Sequence, residues 1–312
     1  MTTEGPHFAS PEEFAARRGD AVFWRPWLAE VLDRHDLGHR HQQPEAGTGA
    51  THPTFVCGDV VVKLFGYSPS WRQAHAAERA AHRALATDPH IAAARLIAVG
   101  DLFDDPEAPW PYLITERVQG IAWGEAALSD RERARLAAEL GGQIRRTHIL
   151  STAGIATHDD WSALETVAAN GRSSLPDRLA LQINDYLARQ RAGDSVFVHG
   201  DLMCRHVFVE AGRITGIIDW GDAIAADRHY ELAKLHLDLF DCDKHLLRDF
   251  LEASDWPASG GFADTAMRQA IERQAHMLAQ HGRGDVFHKL PDLIPLHKIE
   301  SLEGLAMELF AI

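Results

Sequence analysis

Short apolar runs dominate the first third of the chain. Thr54 to Cys57 and Val60 to Phe65 flank Gly58-Asp59, a hairpin signal between two strands. Two more strand-like runs, Arg95 to Phe103 and Trp110 to Glu116, are parted by the acidic turn Asp104-Asp105-Pro106-Glu107. Helical spacing surrounds them. Ser10-Pro11-Glu12-Glu13 reads as a helix start, with Ser as cap and Pro in the first turn. Val22 to Asp36 puts Trp24, Trp27, Leu28, Val31 and Leu32 roughly on one face, a packing stripe. A further helix is expected over Ser70 to Thr87. Ser129-Asp130-Arg131-Glu132 is a capping box opening a helix to about Ile149, and Arg145, Arg146 and His148 suit its C-terminal dipole. Residues 151 to 173 read as irregular, with Trp161 as an anchor, and Leu175 to Arg191 as helix. Val196 to Val198, Val207 to Val209 and Ile214 to Ile218 are three short strands punctuated by Gly200, Gly212 and Gly216. From Glu231 to Ile312 the periodicity is helical, and no internal repeat or low-complexity tract interrupts it.

Composition narrows the class. The 312 residues, 46% hydrophobic and 24% charged, suit an ordinary globular protein of one large domain or two modest ones. With 45 acidic against 31 basic residues the formal charge is −14, which argues against nucleic acid as the main partner and suits a cationic small molecule. Cys57, Cys204 and Cys242 are odd in number and widely spaced, so neither a disulfide framework nor a zinc pattern emerges and a reducing compartment is expected. The polar stretch Met1 to Phe14 does not read as a signal peptide, and no run approaches the length of a membrane span. The expectation is a cytoplasmic protein, a monomer or weak dimer.

The candidate chemistry lies in Phe197-Val198-His199-Gly200-Asp201-Leu202-Met203-Cys204-Arg205-His206 and in Ile217-Ile218-Asp219-Trp220-Gly221-Asp222. Each is a strand feeding a polar turn. An Asp in such a turn commonly caps local backbone N–H groups. Two such turns with His199 and His206 beside them instead suggest a proton acceptor next to a metal ion. Upstream, Lys63 interrupts the apolar run Val60 to Phe65, where a charge is costly unless paired. An edge strand pointing Lys63 to water would also explain it.

His-Gly-Asp-Leu followed by Ile-Ile-Asp-Trp-Gly-Asp-Ala resembles the aminoglycoside phosphotransferase family, relatives of the protein kinases. The resemblance covers roughly residues 20 to 260. Trp110-Pro111-Tyr112-Leu113 and Tyr230 to Phe240, with His236-Leu237-Asp238, are most similar to the branch acting on hygromycin-type aminoglycosides. It implies an α+β, bilobal protein-kinase-like fold: a β-rich N-lobe over residues 1–116, a hinge over 117–120 and a helical C-lobe over 121–312. It further implies Asp201 as catalytic base, Asp219 as magnesium ligand, and Lys63 held by Glu78, fifteen residues later, against the nucleotide phosphates. The small-residue loop around Gly47, Thr48 and Gly49 would lie over those phosphates, although it matches neither the Walker pattern nor G-x-G-x-x-G. The Glu116 carbonyl and the Val118 N–H would read the base. Asp222 and Asp238 would attract amino groups of a cationic acceptor. Asp227 falls on the family's Gly-Asp-Pro aspartate and is expected to tie its loop to the next helix, while His199 is expected to brace the catalytic loop.

The implied reaction is transfer of the γ-phosphoryl group of ATP, with GTP as the alternative donor, to a hydroxyl of a small molecule. A hygromycin B-like antibiotic, and hence resistance, is the first expectation for the acceptor. Another antibiotic, a sugar, an amino alcohol or a nucleoside is the alternative. One departure stands out: the family's usual metal-binding Asn is His206 here. Imidazole suits softer metals than magnesium, so His206 could be a ligand favouring manganese, could touch a phosphate or water instead, or could mark a catalytically impaired nucleotide-binding protein. A metal hydrolase built on His199, Asp201, His206 and Asp219 is a third class, but it leaves Lys63 and Glu78 without a role.

Overall fold

The computed structural model describes residues 5–38, 43–47, 51–157, 173–189, 195–257, 260–282 and 284–312. The chain divides into two compact units, one formed by Met1–His82 and Ala94–Val118, the other by Arg83–Ala93 and Gln119–Ile312.

In the first unit, helix α1 (Pro11–Arg17) starts where Ser10 accepts from the Glu13 N–H. Helix α2 (Ala21–Asp33) is capped by Asp20, which accepts from Val22 and Phe23. The apolar stripe would carry α2 to Asp36, but the helix stops at Asp33. Leu37 N–H bonds back to Leu32 and Asp36 turns left-handed at φ 57°. Just past that end, Arg34 donates to the Asp101 and Leu102 carbonyls, which fastens the helix to the sheet.

That sheet holds β1 (Glu45–Ala46), β2 (Thr54–Cys57), β3 (Val60–Leu64), β4 (Leu96–Asp101) and β5 (Pro111–Glu116), ordered β1-β2-β3-β5-β4 and antiparallel throughout. Val60, Val62 and Leu64 alternate onto the buried face of β3, where Trp24, Leu28 and Val31 of α2 cover them. The alternation leaves Val61 and Lys63 on the opposite face. Helix α3 (Trp71–Leu85) follows.

In the second unit β6 (Ile121–Ala122) precedes α4 (Asp130–His148), which begins with the full capping box between Ser129 and Glu132. Three strands expected downstream are present as β7 (Ser195–Val198), β8 (Val207–Glu210) and β9 (Arg213–Ile217). β8 and β9 form a hairpin whose turn, Ala211-Gly212, has both residues at positive φ. β7 instead pairs with β10 (Ile224–Asp227). Ile224-Ala225-Ala226-Asp227 carries little strand signal, and tertiary pairing decides its conformation.

Two helical expectations change. The span Leu175 to Arg191 is broken into Asp177–Ala180 and Ile183–Arg189. At the break the Gln182 amide donates to the Arg178 and Glu300 carbonyls, and its oxygen accepts from Leu302 N–H. Further on, Leu235–Leu239 widens into a π-helix, a form concentrated at functional sites. Trp161 and its neighbourhood lie outside the described residues. Among the described residues no helix is long and apolar enough to cross a membrane.

Helix α4 packs on the helix Lys244–Ala253 through adjacent glycines with opposite surroundings. A methyl group on Gly141 would press into the Phe250 carbonyl, whereas one on Gly142 meets nothing within 4 Å. Gly141→Ala is therefore expected to destabilise by about 1–3 kcal/mol. Gly142→Ala should stabilise by roughly 0.5–1 kcal/mol through helix propensity. Thermal unfolding of the two variants checks this, and equal shifts would contradict the packing described.

Candidate active site

Lys63 lies on β3, a central strand flanked by β2 and β5, which removes the edge-strand explanation. Its Nζ donates to Glu78 Oε2 at 2.6 Å, with side-chain exposures of 14% and 6%. Burying both charges is costly, and their mutual attraction offsets this only because the geometry is close. The ammonium also sits 5.4 Å from the Phe65 ring centroid. Buried His82 lies beside it, its pKa pushed down to about 4 by burial and then by the Lys63 charge.

Gly47 N–H donates to the Thr54 carbonyl, which fixes the near side of its loop to β2. Thr48 and Gly49 lie outside the described residues. At the end of β5, Glu116 N–H bonds to the Arg95 carbonyl and its carboxylate pairs with the Arg95 guanidinium at 2.5 Å. Val118 follows, half-buried.

In the second unit β7 delivers His199, Gly200 and Asp201. His199 is fully buried and both ring nitrogens are used. Nε2 lies 2.9 Å from the Ile218 carbonyl, and Nδ1 accepts from Asp201 N–H at 3.2 Å. These partners require the neutral tautomer protonated at Nε2. Burial, then the neighbouring His206, pushes the ring down to about 4, so it stays neutral. One side chain thereby joins the turn carrying Asp201 to the turn carrying Asp219. Gly200, at φ +80°, makes a second junction: any β-carbon there would collide with the Asp222 carbonyl.

His206 is buried, and its Nδ1 lies 2.7 Å from the Asp201 carbonyl. Nδ1 is the donor, so Nε2 carries the lone pair of the ring. That atom is 3.5 Å from Asp219 Oδ2 and accepts from Arg205 Nε at 3.2 Å. Asp219 is left-handed at φ 64°, ψ 61°, a conformation costing about 1–3 kcal/mol outside glycine. It keeps 34% side-chain exposure. With Arg205 displaced from Nε2, a neutral imidazole nitrogen and a carboxylate oxygen side by side would fit a divalent cation, manganese better than magnesium. No trio of His, Cys, Asp and Glu forms a metal cage among the described residues, so such an ion needs further oxygens, as phosphates supply.

The base candidate Asp201 is buried and accepts from Arg273 Nη2 at 3.2 Å. Burial alone would raise its pKa, but Arg273, His206 and Lys234 outweigh that and hold it below the usual carboxylate range. Arg273, on the helix Phe262–His281, also approaches Asp222 Oδ1 at 3.4 Å. Asp238 is equally engaged. Its Oδ1 accepts from Cys204 N–H at 3.2 Å, and Lys289 Nζ lies 3.9 Å from its Oδ2. Both carboxylates expected to attract an amino group therefore already face cations or N–H donors. Asp227 accepts from His229 N–H and caps the turn Arg228–Glu231.

Sequence patterns gave no hint of Arg273, Lys234 or the part played by Glu231. Glu231 is buried, and its Oε2 accepts from His199 N–H at 2.8 Å, so a carboxyl group grips the turn carrying Asp201 from behind.

An ion-paired lysine on a β-sheet, with two aspartate turns on a mainly helical unit, defines a small-molecule kinase of protein-kinase-like fold. Residues 44–304 match the model of the phosphotransferase enzyme family, and the chain belongs to that family. Solved structures agree in fold. The GDP complex of a wild-type aminoglycoside 2'-phosphotransferase of type IIIa is 19% identical, over 93% of this chain and 97% of that one, with TM-score 0.67. An aminoglycoside phosphotransferase from Streptomyces rimosus in complex with ADP and streptomycin is 20% identical, over 81% and 97%, with TM-score 0.56. A choline/ethanolamine kinase family protein from Mesorhizobium loti is 17% identical, over 90% and 99%, with TM-score 0.57.

Glu231 has a consequence for stability. Burial pushes its pKa from 4.5 up to about 7, although the His199 and Gly200 N–H groups pull the other way. The folded state thus holds this proton more tightly than the unfolded chain, and stability contributed here falls as pH rises from about 4.5 to about 7. Glu231→Gln keeps the acceptor without the titration. The melting temperature of wild type relative to Glu231→Gln is expected to drop by a few degrees across that window. A pH-independent difference between the two proteins would show that Glu231 is ionised throughout.

Proposed function

We propose that the chain transfers the γ-phosphoryl group of ATP to a hydroxyl of a small molecule. The observation that carries this reading is the His199-centred joint, which presents Asp201 and Asp219 together on one rigid frame. Phosphoryl transfer asks little covalent work of a protein. Alignment and charge neutralisation supply most of the rate, and effective molarities reach about 10⁵–10⁸ M for well-oriented groups.

Lys63, oriented by Glu78, neutralises the phosphates. Gly47 with Thr48 and Gly49, and the backbone of Glu116 and Val118, are the proposed remaining nucleotide contacts. The nucleotide complexes of the solved relatives support a purine triphosphate as donor, with GTP the alternative to ATP. Asp219 and His206 would hold the divalent ion, magnesium or manganese, which supplies charge stabilisation at the transferred group. Asp201 accepts the proton of the attacking hydroxyl, and Arg273 keeps its carboxylate ionised and fixed.

Two acceptor classes follow from different observations. Streptomycin in the Streptomyces rimosus relative, with the stretch Tyr230 to Phe240, supports an aminoglycoside-type antibiotic, hygromycin B first, and hence resistance in the cell. The paired state of Asp222 and Asp238 favours another small alcohol. A nucleotide-consumption screen over alcohol-bearing molecules separates them.

Asp201→Asn should lower kcat about 10²–10⁴-fold for any true acceptor while leaving nucleotide affinity within a few-fold. Full activity in that variant would remove Asp201 from the chemistry. His206→Asn should shift metal preference from manganese toward magnesium, read both by Mn²⁺ binding in electron paramagnetic resonance and by turnover. An unchanged preference would mean that His206 does not hold the ion.

A further inference from the structure

The second unit buries two cations against the base. Arg273 is 2% exposed, and its Nε and Nη1 atoms have no hydrogen-bond partner among the described residues. Its Nη2 alone serves both Asp201 and Asp222. Lys234, at the end of the short helix Leu232–Lys234, is 3% exposed. Among the described residues its ammonium makes no hydrogen bond or close ion pair, although it lies within electrostatic range of Asp201, Asp238, Asp222 and Arg273.

A largely buried lysine whose ammonium has no protein hydrogen bond is costly, and interiors rarely keep one unless water or a ligand completes it. Among the described residues no protein group completes Lys234. Asp201 and Asp222 are turned to Arg273, and Asp238 to Cys204 N–H and Lys289. Asp201, Asp222 and Asp238 also face three cations, Arg273, Lys234 and Lys289. A polycation gains little from such a place, whereas an oxygen-bearing anion gains a ready donor.

We infer that Lys234, next to Arg273, receives a carboxylate or equivalent oxyanion on the acceptor, so that the acceptor is a hydroxy acid rather than a polyamine. This rests on the phosphotransferase reading above and names its substrate class. The acceptor's anionic group would sit at Lys234 while its hydroxyl faces Asp201. The ammonium then gains the charge-assisted hydrogen bond that the fold leaves unmade. Lys234 acts by binding and orienting, and takes no part in the proton transfer.

Three probes with a common three-carbon diol skeleton test this: glycerate, glycerol and 3-amino-1,2-propanediol. Their binding to the full chain is measured by NMR saturation transfer with a non-hydrolysable ATP analogue present, and phosphate transfer from ATP is measured separately. Glycerate is expected to bind about tenfold or more tightly than the amino diol, as a charge-assisted hydrogen bond implies. Lys234→Met should bring that ratio close to one, and Lys234→Gln should act in the same direction. Preference for the amino diol in the wild type, or an unaltered ratio in Lys234→Met, would overturn the proposal. Phosphorylation of aminoglycosides but not hydroxy acids would also overturn it, while sustaining phosphotransfer. Glycerate binding at Lys234 without transfer to any alcohol would sustain the anion site and sink the phosphotransferase reading.

Discussion

The imidazole of His199 is the part on which the rest of the site depends. In the proposed reaction it touches neither a phosphate nor an acceptor. It works by bridging two turns, donating to the Ile218 carbonyl and accepting from Asp201 N–H. Both bonds exist together only in one neutral tautomer, and full burial enforces that form by making the charged ring costly. Trp220, with its ring centroid 4.4 Å from that of His199, closes the space around it, and Glu231 holds the backbone N–H behind it. The turn that carries Asp201 and the turn that carries Asp219 are therefore one mechanical object.

His206 repeats the device one step closer to the chemistry. Its Nδ1 is committed to the Asp201 carbonyl, so the nitrogen facing Asp219 is the one with a lone pair. In the proposed reading, His in place of Asn changes the ligand chemistry and keeps the scaffold. Arg273 adds a different constraint. Its pairing with Asp201 favours the ionised carboxylate, at the expense of some basicity, and draws Asp222 into the same ion pair. Around Asp201 the neighbouring carboxylates Asp222 and Asp238 face basic partners, Arg273 and Lys289.

Regular spacing made part of this legible in the sequence. Lys63 and Glu78 sit on a strand and the helix after it, and a lone charge in an apolar run already demands a partner. Asp201, His206 and Asp219 stand in short strand-to-turn motifs with few alternatives. Arg273 and Lys234 were not legible. They reach Asp201 from 72 and 33 residues away along helices whose surface charges look alike in sequence, and only the fold decides which is buried. β10 was missed because two alanines carry no strand preference. The helix break at Gln182 depends on partners near Glu300, far along the chain. Similarity of sequence motifs faded near residue 260, yet the family match runs to residue 304.

Long-range proton–nitrogen NMR of the histidine rings tests the central claim most directly, because it reads the tautomer and protonation of His199 in the intact protein. The structure predicts a neutral ring protonated at Nε2 that does not titrate between about pH 8 and pH 5. A ring protonated at Nδ1, or one that gains a proton near the ordinary histidine value of about 6.5, would mean that the two turns are not joined through His199.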